Sequence, residues 1–247
     1  MSKVFSRRRL AAMSVAGALS PITLSPIAGR AQTTGQVPPV APTLPNPFTN
    51  LTTTPGAAAA PALGQIDKTK PYFLYFERSI DVLSARHLRD TLVKLAESDV
   101  QDITLVLNSP GGIVAPTLHL YNLIRSLPVT IKTYGQDMVA SSATILMLAG
   151  EPRTADKKTR FWFHGMSGPL ITQINTAQFE EQMQMFREQE NFFDQIYRER
   201  TKIPAADLAK LKHETVTYDA DTAIQHGIIS AIEPLKVPVK AKLVFFD

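Results

Sequence analysis

No cysteine occurs among the 247 residues, which excludes disulfides, a thiolate nucleophile and cysteine-ligated zinc. Acids are missing from the first 66 positions. Residues 1–31 hold five basic side chains (Lys3, Arg7, Arg8, Arg9, Arg30), and residues 32–66 hold no charge at all. With those five set aside, residues 67–247 carry 21 Lys and Arg against 22 Asp and Glu, a formal net of −1, although the whole chain stands at +4. The part able to fold therefore lacks the cationic excess that phosphate backbones require, and nucleic acid is not expected as a partner. Long apolar runs are lacking too. The run Leu10–Leu19 is cut at Pro21, well short of the roughly twenty residues a spanning helix needs. The five histidines (87, 119, 164, 213, 226) show no ligand spacing. His213-Glu214 could open the helical pattern of zinc peptidases, but the second histidine it needs is replaced by Thr217. Gly111-Gly112 is not followed by Lys-Ser/Thr, so no phosphate loop is present. Neither metal nor cofactor is expected.

What the N-terminus does contain is an address. Ser6-Arg7-Arg8-Arg9-Leu10 precedes a modest apolar stretch and a small-residue end at Gly29-Arg30-Ala31. The pattern is that of a signal peptide over 1–31, and the paired arginines resemble the bacterial twin-arginine export signal. Cleavage after Ala31 would leave an exported, periplasmic protein with no membrane anchor. Residues 32–68 follow as a spacer. They hold seven prolines and the run Ala57–Ala60 without hydrophobic periodicity, a composition that favours disorder or polyproline structure.

Residues 69–247 form the folded domain. Tyr72–Phe76, Ile103–Leu107, Val129–Tyr134 and Thr159–His164 read as short buried strands. Between them, Ala85–Ala96 (with Ser84 as N-cap), Ile113–Ser126 and a small-residue segment opening at Ala140–Ala149 read as helices. Strands alternating with helices indicate an α/β fold with a largely parallel sheet and helices on both faces. In such folds sites gather where strands hand over to helices. A long helix is expected over 176–201, with Phe179, Met183, Phe186, Phe193 and Tyr197 on one stripe and Glu190 as its one polar gap. Its apolar face packs either on its own domain or on a second subunit.

Three turns carry chemistry. In Asn108-Ser109-Pro110-Gly111-Gly112 a strand runs into paired glycines, whose missing Cβ atoms expose backbone N–H groups to an oxyanion or a peptide. Ser141, with Ser142 behind it, stands where the next helix opens; it is either an N-cap or a nucleophile whose following N–H completes an oxyanion hole. His164 closes the run Phe161-Trp162-Phe163 before a glycine loop, which places an imidazole at the sheet's edge. Alone, each has a purely structural explanation.

Together, Ser109-Pro110-Gly111-Gly112, Ala140-Ser141, Leu148-Ala149-Gly150 and Phe163-His164 resemble the Clp protease proteolytic subunit family in order and spacing, from about Tyr72 to Ile232. The resemblance implies a crotonase-like α/β fold of repeated ββα units. It implies Ser141 as nucleophile, His164 as general base, and the backbone of Gly111, Gly112 and Ser142 as the oxyanion hole. It casts the helix near 176–201 as the handle through which family members assemble into rings. A substrate peptide would add as a strand along Gly112–Ala115, at Ile113, and along Met166–Leu170, at Met166, Ser167 and Gly168.

The third member of the triad is where this chain departs. The family's aspartate falls about twelve residues before the glycine of a late motif, here Ala223-Ile224-Gln225-His226-Gly227-Ile228, and that count lands on Thr215. Glu214 beside it is the favoured substitute. Asp219 and Asp221 are alternatives, although a carboxylate so near a helix start is explained more simply as an N-cap. A triad without any carboxylate is a further alternative. The expected function is an exported serine endopeptidase acting on extended peptides or unfolded proteins without an ATP-driven unfoldase. The rival is a catalytically degenerate relative that binds peptides or builds rings. Acyl-CoA chemistry on the same fold is disfavoured, because it does not need a serine and a histidine in this arrangement.

Overall fold

The computed structural model describes residues 63–168 and 175–246. The signal peptide expected over 1–31, most of the spacer over 32–68, and positions 169–170 lie outside them. The described elements are β1 (Tyr72–Phe76), α1 (Val82–Glu97), β2 (Ile103–Ser109), α2 (Val114–Ser126), β3 (Ile131–Ala140), α3 (Ala143–Ala149), β4 (Arg153–Ala155), β5 (Arg160–Phe163), α4 (Thr176–Arg200), α5 (Ala205–Leu211), β6 (Val216–Asp219), α6 (Ala220–Gln225), β7 (Ala231–Ile232) and β8 (Lys242–Phe246). This is the mixed α/β architecture expected from the alternating pattern.

The sheet runs β6-β5-β3-β2-β1-β8, with β4 paired to β3 and β7. Every pairing is parallel except β5 with β6. Parallel neighbours need crossovers, and α1 and α2 supply them between β1, β2 and β3. Alternate side chains of the central strands enter two clusters. Tyr72, Leu74 and Phe76 join Ile103, Leu105 and Leu107 in a large core that includes residues from all six helices. Phe73, Val106 and Tyr134 point the other way and form a small cluster with Tyr75, Leu235 and Ala241. The expectation of helices on both faces is thereby corrected. The second face is closed by the segment between β7 and β8, and Tyr134 anchors that segment by donating to the Glu233 carbonyl at 3.0 Å.

Local chemistry moves several expected boundaries. Helix α1 starts at Val82 rather than Ala85, because Asp81 is the N-cap; it accepts from Leu83 and Ser84 N–H groups, while the Ser84 hydroxyl accepts from Asp81 N–H in a capping box. Strand β3 does not end at Gly135. It bulges against β2, where the pairing jumps from Leu107↔Gly135 to Ser109↔Val139, and then runs on to Ala140. Positive φ at Asp137 accommodates the bulge. Strand β5 stops at Phe163, so His164 is the first residue beyond it. No helix among the described residues is long and apolar enough to cross a membrane.

Candidate active site

The C-terminal ends of β2, β3 and β5, side by side in the sheet, bring the three turns to one edge. In-register pairing sets Ala140 against Trp162. The next residue, Ser141, then donates its N–H to the Trp162 carbonyl at 2.7 Å, two residues before His164. On the β2 side, a Cβ added to Gly111 would come within 2.6 Å of the Ala140 carbonyl oxygen, 2.8 Å of Ser141 Cβ and 2.8 Å of Ser142 N. The glycine turn therefore lies directly on the serine pair.

Ser141 is not an N-cap. Its backbone sits at φ 54°, in the left-handed region that a residue with a Cβ occupies only under constraint, and α3 begins two residues later. Strain of this kind concentrates at functional sites. Several bonds hold it. Thr144 donates its hydroxyl to the Ser141 carbonyl at 2.6 Å. That hydroxyl, having given its proton, accepts one from the Tyr197 phenol at 2.7 Å. Tyr197 lies on α4 and is buried, which raises its phenol pKa far above the ordinary value. The buried relay Tyr197–Thr144–Ser141 was not visible in the sequence, where Tyr197 reads as one more apolar residue of the stripe.

The glycine turn is braced in the same manner. Ser109 donates its hydroxyl to the Arg78 carbonyl at 2.7 Å and accepts from Gly111 N–H at 3.2 Å. Ile80 bridges the turn by donating to Gly111 O at 2.8 Å and accepting from Ile113 N–H at 2.7 Å. The Ser142 hydroxyl donates to the Gly112 carbonyl at 3.2 Å, tying the turn to the start of α3. Gly111 N–H is thus occupied, whereas the N–H groups of Gly112 and Ser142 donate to no acceptor among the described residues. Helix α2 starts at Val114, so only Gly112–Ile113 of the edge expected over Gly112–Ala115 is extended. Ile113 is exposed there.

His164 Nδ1 lies 2.7 Å from the Gly165 carbonyl. A carbonyl can only accept, so Nδ1 carries the proton and Nε2 holds the lone pair, the tautomer a base needs. Beyond His164, Met166 packs on the core while Ser167 and Gly168 are exposed, and Gly168 runs close to Phe186 of α4. A shallow pocket opens between this segment, α4 and α5; His164, Glu190, Asp194 and Lys212 are among its walls.

The carboxylates expected as third partner are placed plainly. Antiparallel pairing of β5 with β6 ends at Phe163 with Val216, and Thr215 is the residue that precedes β6. Glu214 is exposed in the turn after α5, its N–H donating to Lys210 at 2.8 Å, and its carboxylate makes no hydrogen bond or ion pair among the described residues. Asp219 is the N-cap of α6, accepting from Thr222 N–H at 2.9 Å; that bond holds its pKa below the ordinary value. Asp221 pairs with Lys157 at the surface. No group of three His, Cys, Asp or Glu suited to a metal occurs among the described residues.

Comparison with known proteins gives this geometry its context. The Clp protease family model matches residues 64–234. The chain is 27% identical over 158 residues to ATP-dependent Clp protease proteolytic subunit 2 of Thermobifida fusca (strain YX), covering 62% of this chain and 75% of that protein. It is 28% identical over 167 residues to subunit 3 of Rhizobium meliloti (strain 1021), covering 67% and 84%. A ClpP1 mutant structure from Listeria monocytogenes superposes with a TM-score of 0.60 at 20% identity, covering 66% of this chain and 92% of that one. Shared fold and a family match across most of the described residues lead to one conclusion: the chain belongs to the Clp protease family.

Proposed function

We propose that the protein is a serine endopeptidase in which Ser141 attacks the peptide carbonyl and His164 takes the hydroxyl proton, then delivers it to the leaving amine. The observation that carries the reading is the strained Ser141 backbone, locked between the Gly111 turn and Trp162. Strain without a ligand to serve would be a pure loss of stability. The Gly112 and Ser142 N–H groups serve as oxyanion donors, and such a donor is typically worth roughly 10²–10³ in rate. The Gly165 carbonyl holds the imidazole tautomer. Extended or unfolded chains are the substrates, read through backbone at Gly112–Ile113 and along Met166, Ser167 and Gly168, with loose sequence preference.

The exposed Phe179 and Met185 of α4 fit the part of a handle that joins copies of this chain. The Arg7-Arg8-Arg9 leader fits export, where no cytoplasmic ATP-driven unfoldase would meet the protein. N-terminal sequencing of the mature protein should begin near Gln32; a retained Met1 would falsify export by cleavage.

Thr215, at the place in the sequence where the family's aspartate would fall, favours the second reading, a degenerate relative that binds peptides or builds rings. A fluorophosphonate probe separates the two. Labelling lost in both Ser141→Ala and His164→Ala supports the peptidase. A natively assembled parent that takes no label, or a Ser141→Ala variant that labels equally, leaves the scaffold.

A further inference from the structure

Strand β8 closes one flank of the sheet and pairs with β1 alone among the described strands. The family match ends at residue 234, ahead of it, so this flank is built by a part of the chain outside the matched region. Lys242 donates its N–H to the Pro71 carbonyl at 2.8 Å. In a parallel ladder alternate residues address one neighbour, so Lys242, Val244 and Phe246 serve β1, while the N–H and C=O groups of Leu243 and Phe245 turn outward. The side chains repeat the alternation. Val244 and Phe246 are buried in the large core. Leu243 is 47% and Phe245 48% exposed on the other face, where Phe245 stacks on Tyr75 with ring centroids 4.9 Å apart. An unpaired flank that carries apolar side chains is a template for another strand.

We propose that β8 is a two-fold docking strand that pairs antiparallel with β8 of a second copy of this chain. Outward backbone groups must meet outward backbone groups, which sets odd-numbered residues against odd-numbered ones. With the axis at Val244, the midpoint of the strand, all residues from Lys242 to Phe246 overlap; an axis at Leu243 or Phe245 loses part of the strand. Leu243 then exchanges both hydrogen bonds with Phe245 of the second copy, and Phe245 with its Leu243. The axis stands perpendicular to the sheet, so side chains keep their faces. Tyr75 and Phe245, then Leu243 and Phe73 of the second copy, form one apolar row across the junction. Charge agrees with the same register. Asp247 follows Phe246 in the sequence, and the residues set across from it are Lys240, Ala241 and Lys242. Acid meets base at both ends of the pairing, and no lysine faces a lysine. This two-fold is separate from the α4 contact, and it does not rest on Ser141 or His164 acting in catalysis.

The native chain lacks cysteine, so introduced cysteines report the register. The full chain is produced as Leu243→Cys, as Phe245→Cys, and as the two variants co-expressed, then oxidised. In the proposed pairing, positions 243 and 245 of opposite copies stand about 5.5 Å apart at Cα, within disulfide reach. Like positions stand roughly 9 Å apart and outside it. The co-expressed pair should give a disulfide-linked dimer joining one copy of each variant, and neither variant alone should. In the otherwise unaltered chain, Leu243→Pro removes an outward donor and leaves the β1 ladder whole. It should halve the sedimenting mass with an unchanged far-UV spectrum. Lys240→Glu with Lys242→Glu should do the same, and adding Asp247→Lys should restore the parent mass. Charged substitution of Phe179 and Met185 should leave the cross-link in place. A cross-link in either cysteine variant alone would put the axis elsewhere and overturn the inference. So would an unchanged mass in Leu243→Pro, or a co-expressed pair that never cross-links, which leaves this flank to another partner.

Discussion

A serine at φ 54° would lose less backbone energy as glycine, and this sets up a trade at position 141. Ser141→Gly should raise stability by roughly 0.5–1 kcal/mol over Ser141→Ala, which keeps the Cβ, while both abolish probe labelling. Urea denaturation of the two variants checks this. Equal stability would mean that the left-handed backbone is not strained. Gly111 is the converse case. At φ 90°, with three atoms inside 3 Å of any Cβ, Gly111→Ala must push Ser141 or Ser142 aside. It should lose stability by about 1–3 kcal/mol and lose labelling as well. Tyr197→Phe removes one proton donor from a buried hydroxyl relay. The expected cost is about 1 kcal/mol, visible as a Tm lower by roughly 2–4 °C, together with slower labelling of Ser141 because its carbonyl brace loosens. Normal labelling kinetics at the lower Tm would show that the relay supports the fold alone.

Among the elements, α4 does two jobs along its length. Its C-terminal third is tied to the domain through buried Phe193, Ile196 and Tyr197, while Phe179 and Met185 nearer the start remain exposed. The sequence stripe could not separate packing within the domain from packing on a second copy, because apolar periodicity records that a face is covered and not by what. Charged substitution of Phe179 and Met185 should therefore dissociate an assembly, read by sedimentation velocity, without unfolding the domain. An unchanged sedimentation coefficient would remove α4 from the interface. Other elements were legible to different degrees. Strands β1 and β2 stood out because both faces are buried, giving continuous apolar runs. Strand β6 did not: Val216–Asp219 alternates half-buried and exposed residues and pairs only at one side. The glycine turn, Ser141 and His164 were found from composition at strand ends. The left-handed serine, Thr144 and the pocket face of Glu190 depend on tertiary neighbours that no local spacing encodes.

For the molecule as a whole, the acid side of the stability curve follows from its aspartates. Asp67, Asp99, Asp207 and Asp219 all titrate below their ordinary value of 3.8, held there chiefly by hydrogen bonds from Thr69, Lys68, Lys210 and Thr222. A carboxylate depressed by folding contributes stability above its unfolded pKa and loses that contribution as pH falls through the folded one. Urea midpoints should hold from neutral pH to about 5 and decline below 4; a midpoint unchanged at pH 3 would contradict these bonds. The sheet order has a separate, practical corollary. Strands β1 and β8 are parallel neighbours in register, Tyr72 beside Lys242 and Phe76 beside Phe246. Whatever precedes Tyr72 thus enters at the edge remote from Ser141, whereas whatever follows Phe246 departs from the edge that carries it, three strand spacings away, or about 14 Å. A purification handle fused behind Phe246 would start on the edge of the sheet that carries Ser141, and one fused ahead of the domain on the opposite edge.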